Sequence, residues 1–295
     1  MDCSKKRIQT VITINIEKCS RCGLCADLCH ESCITVTDNG PLIDAGLCST
    51  CTQCIAACPT QALGWNGILP AAFNRQQLPA AEQLDELFRE RRSIRRFKRQ
   101  KIDRTLLEEI ARHGAFAPTH AFNLRLIIVD NDALIETLDQ AIVNNCRWIN
   151  QLAYRYKIGW LLAGLFGYAE EMKKARPKIE ATLKMGHAFH SMPTAFIFVV
   201  GDKKVPLSTD SAQYALANMM YYAQVKGVGT CLWANGPIFI DKHRPARRQL
   251  GILPSERIYG AMYMGYPAVR FSNKVGGKMM DIRWNGGNGQ VATRG

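Results

Sequence analysis

After residue 80 the apolar positions of this chain follow two different periods. Leu84, Leu87 and Phe88 recur at helical spacing and predict a helix starting near Ala81. Leu106, Leu107 and Ile110 predict a second over Arg104–His113, with Gly114 placed to end it. Leu124–Val129 and Thr194–Val200 are near-continuous apolar runs of strand length, and so read as buried strands. A helix from Asp210 follows, with Ala212, Leu216, Met219, Met220 and Ala223 on one face, Ser208 or Thr209 as N-cap and Gly227 as breaker. A last strand, Ile258–Met264, runs into the turn Gly265–Pro267. Helices and strands without a regular β-α-β alternation predict an α+β domain.

The first sixty-odd residues obey a different pattern, set by cysteine. Cys19, Cys22, Cys25 and Cys29 form one C-x2-C-x2-C-x3-C run, and Cys48, Cys51, Cys54 and Cys58, followed by Pro59, form another. This is the spacing by which bacterial ferredoxins hold [4Fe–4S] clusters, with the fourth cysteine of each run serving the other cluster. Cys19, Cys22, Cys25 and Cys58 are therefore assigned to one cluster, and Cys48, Cys51, Cys54 and Cys29 to the second. Structural zinc and disulfides are the alternatives, and two copies of one four-cysteine pattern suit neither well. Aligning the runs sets Cys33 opposite Ala62, so Cys33 reads as a small buried residue and not a ligand. Cys3, Cys146 and Cys231 are isolated thiols.

At 295 residues the chain is long enough for a second domain with its own core. The expected division is a ferredoxin-like unit over 1–66, a linker over 67–80 containing Gly67, Pro70 and Pro79, and a second domain over 81–295. Residues 145–189, with Trp148, Tyr154, Tyr156, Trp160 and Phe166, read as a lid or dimer-interface insertion. Lys5, Lys6 and Arg7 lead into a β-like stretch, Thr10–Ile16, where a secretory signal would need an apolar helix. The longest apolar run, Ile158–Tyr168, is too short to span a bilayer. Free thiols in number without an export signal point to a reducing cytoplasm.

The formal net charge is +13, yet residues 1–60 hold five Lys/Arg against six Asp/Glu, so the excess belongs to the second domain. Its densest basic run spans Arg91 to Lys101. A nucleic-acid site would be one reading, but no zinc finger, RNA-binding signature or dimerising heptad accompanies it. A solvated helix end is another, and an anionic cofactor suits the run better.

Four stretches, Arg91–Phe97 (RRSIRRF), Ala117–Asn123 (APTHAFN), Asp210–Asn218 and Gly227–Trp233 (GVGTCLW), in this order behind the cysteine runs, resemble the FMN-dependent nitroreductase family. Specifically, they resemble members with an N-terminal two-cluster ferredoxin domain. The resemblance covers most of residues 81–270. It implies a nitroreductase-like α+β sandwich, with a central, mainly antiparallel sheet flanked by helices, and a homodimer with FMN at the subunit interface. It gives Arg91, Arg92, Ser93 and Arg95 the FMN phosphate and ribityl chain, a task for which guanidinium groups offer bidentate hydrogen bonds. Arg96 and Arg99 are left to solvent. Pro118 fixes a loop, and the Asn123 amide meets the pyrimidine edge of the flavin. Trp233, Ala234, Asn235 and Gly236 line the ring system, with Trp233 equally readable as core, and Lys274 or Lys278 completes the phosphate site. His187 and His190 are candidate proton donors, against a plain structural role.

Together these readings describe an oxidoreductase that takes electrons from a low-potential donor through two clusters to FMN and on to a small conjugated acceptor, such as a nitroaromatic or quinone. The donor is reduced ferredoxin or flavodoxin, or else NAD(P)H, for which no G-x-G-x-x-G fingerprint follows a strand. A non-catalytic electron-transfer or redox-sensing module is the rival reading.

Overall fold

The structure, a computed structural model, describes residues 12–119, 123–156, 169–276 and 280, with the side chains of 169, 171 and 235 excepted. Lys278 and the run Ile158–Tyr168, both singled out in the sequence, lie outside the described residues, as do residues 120–122 of the stretch Ala117–Asn123.

The N-terminal region is built from short pieces. Strands β1 (Ile12–Ile14) and β4 (Leu63–Trp65) pair antiparallel, and β2 (Ile34–Thr37) and β3 (Gly40–Ile43) form a hairpin. Helices α1 (Leu24–Asp27) and α2 (Gln53–Ala57) each follow the second cysteine of a run. The internal repeat is visible in the backbone. Arg21 and Thr50 (φ 57° and 58°), Gly23 and Thr52 (81° and 63°), and Ser32 and Gln61 (51° and 53°) are equivalent pairs in left-handed conformation. A bridge from Trp65 to Ile68 closes the region, after which residues 71–80 are exposed.

The rest is organised by one antiparallel sheet, in the order β5 (Leu124–Val129), β6 (Ala195–Asp202), β8 (Glu256–Gly265), β7 (Gly229–Leu232). Side chains of β6 alternate between two cores, as strand geometry requires. Phe196, Phe198 and Val200 face one core, built with α5 (Asp132–Ile149), α8 (Asn235–Lys242) and α9 (Arg244–Gln249). Ala195, Ile197 and Val199 face the other, built with α4 (Arg104–Arg112) and α7 (Ser208–Val225). A bulge between Val199 and Val200 leaves Ile258 and Ala261 on the same side of β8 although they are three residues apart.

Several expectations change in detail. Helix α3 (Ala81–Glu90) forms where expected, but none of its residues is buried, and Leu84 and Phe88 stand exposed. Gly114 does not end α4; it lies in a 3-10 turn, His113–Phe116, with Met219 against the place of its absent side chain. The N-cap of α7 is Leu207, at φ 56°, neither Ser208 nor Thr209. Gly227, at φ 73°, does end it. The described residues of the segment 145–189 are largely helical, with the end of α5, a π-helical turn over Asn150–Arg155 and α6 (Ala169–Met185). Cys146 and Ala153 are buried, and Ile179 and Leu183 pack on the first core, while Trp148 and Tyr156 remain exposed. Among the described residues no helix is long and apolar enough to cross a membrane.

Candidate functional site

Both cysteine runs fold around cavities. One, with about 370 Å³ of empty space, is lined by Cys19, Cys22, Cys25 and Cys58; the other, about 320 Å³, by Cys29, Cys48, Cys51 and Cys54, with Cys33 beside them. Each cavity thus takes three sulfurs from one run and the fourth from the other. The left-handed residues between the cysteines turn successive backbone N–H groups inward, the nest geometry common around anionic centres. The N–H groups of Thr50 and Ala62 point at Cys48 Sγ and Cys58 Sγ, at 3.4 and 3.2 Å.

These donors act on the thiols. Burial raises Cys29 and Cys58, but hydrogen bonds outweigh it and hold both below the ordinary thiol value: from Cys33, Glu31 and Ser32 on Cys29, and from Thr60, Ala62 and Leu63 on Cys58. The N–H of Leu24 lowers Cys22. Burial pushes Cys54 up to about 11, and Cys33 to about 12 with Cys29 adding to it.

All eight cysteines of the two runs are free of disulfides.

The basic run occupies the other end of the molecule's chemistry, along the β7 edge of the sheet. Ile94 N–H donates to Thr230, Lys98 N–H to Tyr266, and Ala268 N–H to Arg96. Phe97 exchanges hydrogen bonds of 3.0 Å with Ser191 Oγ in both directions. Gly229 and Gly265 permit this: a side chain on either would press into Ile94 or Phe97, at 2.7 and 2.8 Å. Arg91, Arg92 and Ser93 are half-buried and Arg95 is exposed. Among the described residues Arg92 bonds to the carbonyls of Arg89 and Arg91, and Arg95 to that of Ser93. Among the described residues none of these three arginines meets a carboxylate. Beneath them, burial and the Cys231 thiol push the Tyr263 phenol up, while Arg95 at the same side chain acts the other way.

Trp233 belongs to the core, packed with Phe189, Phe196, Phe198 and Tyr263. Ala234 is exposed, Asn235 opens α8, and Gly236 is buried against the Trp233 indole, with no room for a side chain. Lys274 pairs with Glu86 on α3 and leaves the arginines to stand alone.

Asn123 and Pro118 are not part of this corner. Pro118 is exposed, and Asn123 precedes β5, its amide 3.5 Å from Ser208 Oγ. It sits beyond the Leu124/Gly201 pair, while the arginines flank Thr230 at the Met264 end of the far edge. Strand spacing and rise put these corners roughly 25 Å apart. One chain does not bring them together.

His187 is held by a partner that the sequence reading missed. Its Nδ1 lies 2.8 Å from Asp139 Oδ2, and Ala188 N–H donates to Asp139 Oδ1 at 2.7 Å. Asp139 is fully buried, and its carboxylate raises the imidazole value, with Glu136 adding to the effect. The signal available was a carboxylate on the apolar face of α5, between Leu138 and Ala141. Phe189 packs on Trp233 and Tyr263, so the loop 186–192 links α5 to the arginine run; His190 is exposed.

No curated protein matches the chain. Among solved structures, an FMN-bound nitroreductase from Desulfitobacterium hafniense DCB-2 is 15% identical, with a TM-score of 0.50 over 67% of this chain and 97% of its own. An FMN-bound nitroreductase from Bacteroides fragilis NCTC 9343 is 20% identical, with a TM-score of 0.49 over 68% and 99%. At such identity the first of these likenesses extends to the fold alone. The family profile described as "Nitroreductase family" matches residues 88–266, which contain the whole four-stranded sheet and the arginine run. The chain belongs to the nitroreductase family and is a nitroreductase-like oxidoreductase.

Proposed function

We propose that this enzyme is an iron–sulfur flavoprotein in which a two-cluster ferredoxin-like unit, residues 1–66, delivers electrons to FMN held by residues 81–295. The observation that carries the reading is the crossed partition of eight thiols into two four-sulfur cavities. Cys19, Cys22, Cys25 and Cys58 would hold one [4Fe–4S] cluster, and Cys48, Cys51, Cys54 and Cys29 the second. The guanidinium groups of Arg91, Arg92 and Arg95, which meet no carboxylate among the described residues, suit a phosphate dianion together with the Ser93 hydroxyl. FMN is the group bound by the D. hafniense nitroreductase, and its chemistry is to accept electrons singly and pass them on as a pair. Small residues at Ala234–Gly236 let the backbone approach the flavin ring, with Trp233 as the floor beneath.

Asn123 completes such a site only from a second copy, because its own arginines stand at the diagonal corner of the sheet. Exposed Leu84 and Phe88 on α3 offer apolar surface for the same contact, so a homodimer is the assembled form. His187, oriented by Asp139, is the better placed of the two histidines to supply a proton. Small conjugated electrophiles, nitroaromatics or quinones, are the acceptors. The basic second region suits an acidic low-potential donor such as reduced ferredoxin or flavodoxin in the cytoplasm, with NAD(P)H as the alternative.

Anaerobic purification should yield about eight iron atoms and one FMN per chain. Replacing Arg92 by alanine should deplete the flavin and leave iron unchanged. Protein lacking iron, or an Arg92→Ala variant with full flavin, would overturn the respective half of the proposal.

A further inference from the structure

The two sulfur cavities are built on the same repeat, and among the side chains at which they differ one lies against a cysteine sulfur. Three residues after Cys29 and Cys58 the backbone is left-handed, at Ser32 and Gln61. One residue later the N–H groups of Cys33 and Ala62 turn back onto the Cys29 and Cys58 sulfurs. Both residues are buried, at 5% and 1% exposure, and each lines its cavity. At this shared position one cavity has a methyl group and the other a thiol, and the thiol lies 3.4 Å from Cys29 Sγ.

On the cluster reading above, Cys29 is a thiolate bound to iron and has no proton to give. The only hydrogen bond the two sulfurs can then make runs from the Cys33 S–H to Cys29 Sγ. We infer that Cys33 is a tuning residue: it donates a hydrogen bond to a ligand of the cluster held by Cys29, Cys48, Cys51 and Cys54, and raises that cluster's reduction potential. Reduction adds negative charge to the centre and its thiolates, and a donor aimed at a ligand sulfur stabilises the reduced state more than the oxidised one. At the cluster beside Ala62 the corresponding ligand, Cys58, has the Thr60 hydroxyl 3.6 Å from its sulfur and no thiol. Removing the Cys33 thiol thus acts on one of the two centres alone.

The test is a potentiometric titration of the anaerobic holoprotein, with each reduced cluster followed by its paramagnetic signal and iron counted per chain. In Cys33→Ala one midpoint should fall while the other stays where it was. Cys33→Ser keeps a donor and should lie nearer the wild type than the alanine variant does. Ala62→Ser places a hydroxyl beside Cys58, and the midpoint that Cys33→Ala left alone should now rise. Overlaid curves for Cys33→Ala and wild type, both with full iron, would overturn the inference and leave the cluster assignment standing. It is equally overturned if Cys33→Ala loses half its iron while Cys29→Ala keeps all of it, since Cys33 is then itself the ligand. Should Cys33→Ala fail to load for want of folding, an unmoved potential in Ala62→Ser decides against the proposal. Wild-type protein without iron would end both the inference and the reading on which it rests.

Discussion

Around the sulfur cavities the buried cluster amounts to Cys33, Ile34, Cys54, Ile55 and Leu63, and two of these five are cysteines. Along β6, by contrast, every residue from Ala195 to Gly201 is buried, with a core on each face. Strain is distributed the other way. Among the described residues, six of the seven non-glycine residues with positive φ lie between Arg21 and Asn66, and the seventh is Leu207. Two of the six, Thr50 and Thr52, are β-branched, where this conformation is least tolerated. Each such residue costs on the order of 1–3 kcal/mol and persists only where its surroundings hold it. The N-terminal region has the strain and little core to hold it, and on the proposed cluster reading ligation supplies what packing does not. The sheet region needs no such help.

Stripping the metal therefore breaks the comparison most severely. After reductive chelation of iron, amide hydrogens over residues 12–65 should exchange at nearly the rate of an unfolded chain, while those of β5, β6 and β8 keep their protection. Undiminished protection in the N-terminal region of iron-free protein would show that its small core suffices.

The converse perturbation strikes the core and spares the metal. Phe198 is fully buried and packs on Phe196 and Trp233. Cutting it back to alanine removes most of a ring from the densest part of the first core, at a cost of about 3–5 kcal/mol. Thermal unfolding of Phe198→Ala should show the sheet region melting well below wild type, with iron content per chain unchanged. Loss of iron in parallel would mean that the two regions fold as one unit.

The regions also differ in how far they could be read from sequence. Leu124–Val129 was bounded correctly because an unbroken apolar run of that length, next to Asp130 and Asn131, admits little else. The cysteine spacing foretold which four sulfurs share a cavity, since ligand geometry leaves few arrangements. Gly229–Leu232 was not recognised as a strand: its pairing with β8 and its contact with Ile94 are long-range, and its glycines argue locally for turns. Helices α5, α8 and α9 were missed as well. The pairing of His187 with Asp139 joins residues 48 positions apart, and its one local trace is a carboxylate on an apolar helix face. Helix α3 shows the opposite failure, a true helical period whose apolar stripe is only partly covered, Phe88 meeting the Tyr221 ring while Leu84 stands exposed.

The smallest expected effect belongs to that histidine pair, and it tests whether His187 is a clasp for the loop or only a group on the surface. Its folded value is raised above the ordinary 6.5 by Asp139. A raised value means that the charged pair contributes fully below about pH 6.5 and that the contribution fades as pH climbs through the folded value. Because the His187 side chain is 49% exposed, solvent screening keeps the gain under about 1 kcal/mol. Wild type should accordingly be slightly more stable than His187→Gln at pH 6, and the difference should vanish toward pH 8.5. Asp139→Ala should cost more and at both pH values, about 1–3 kcal/mol, because the half-buried Ala188 N–H loses its acceptor as well. Melting curves of the three proteins across that range decide the matter. A constant gap between wild type and His187→Gln would mean that the imidazole's charge plays no part in pinning the loop that runs from α5 to Phe97.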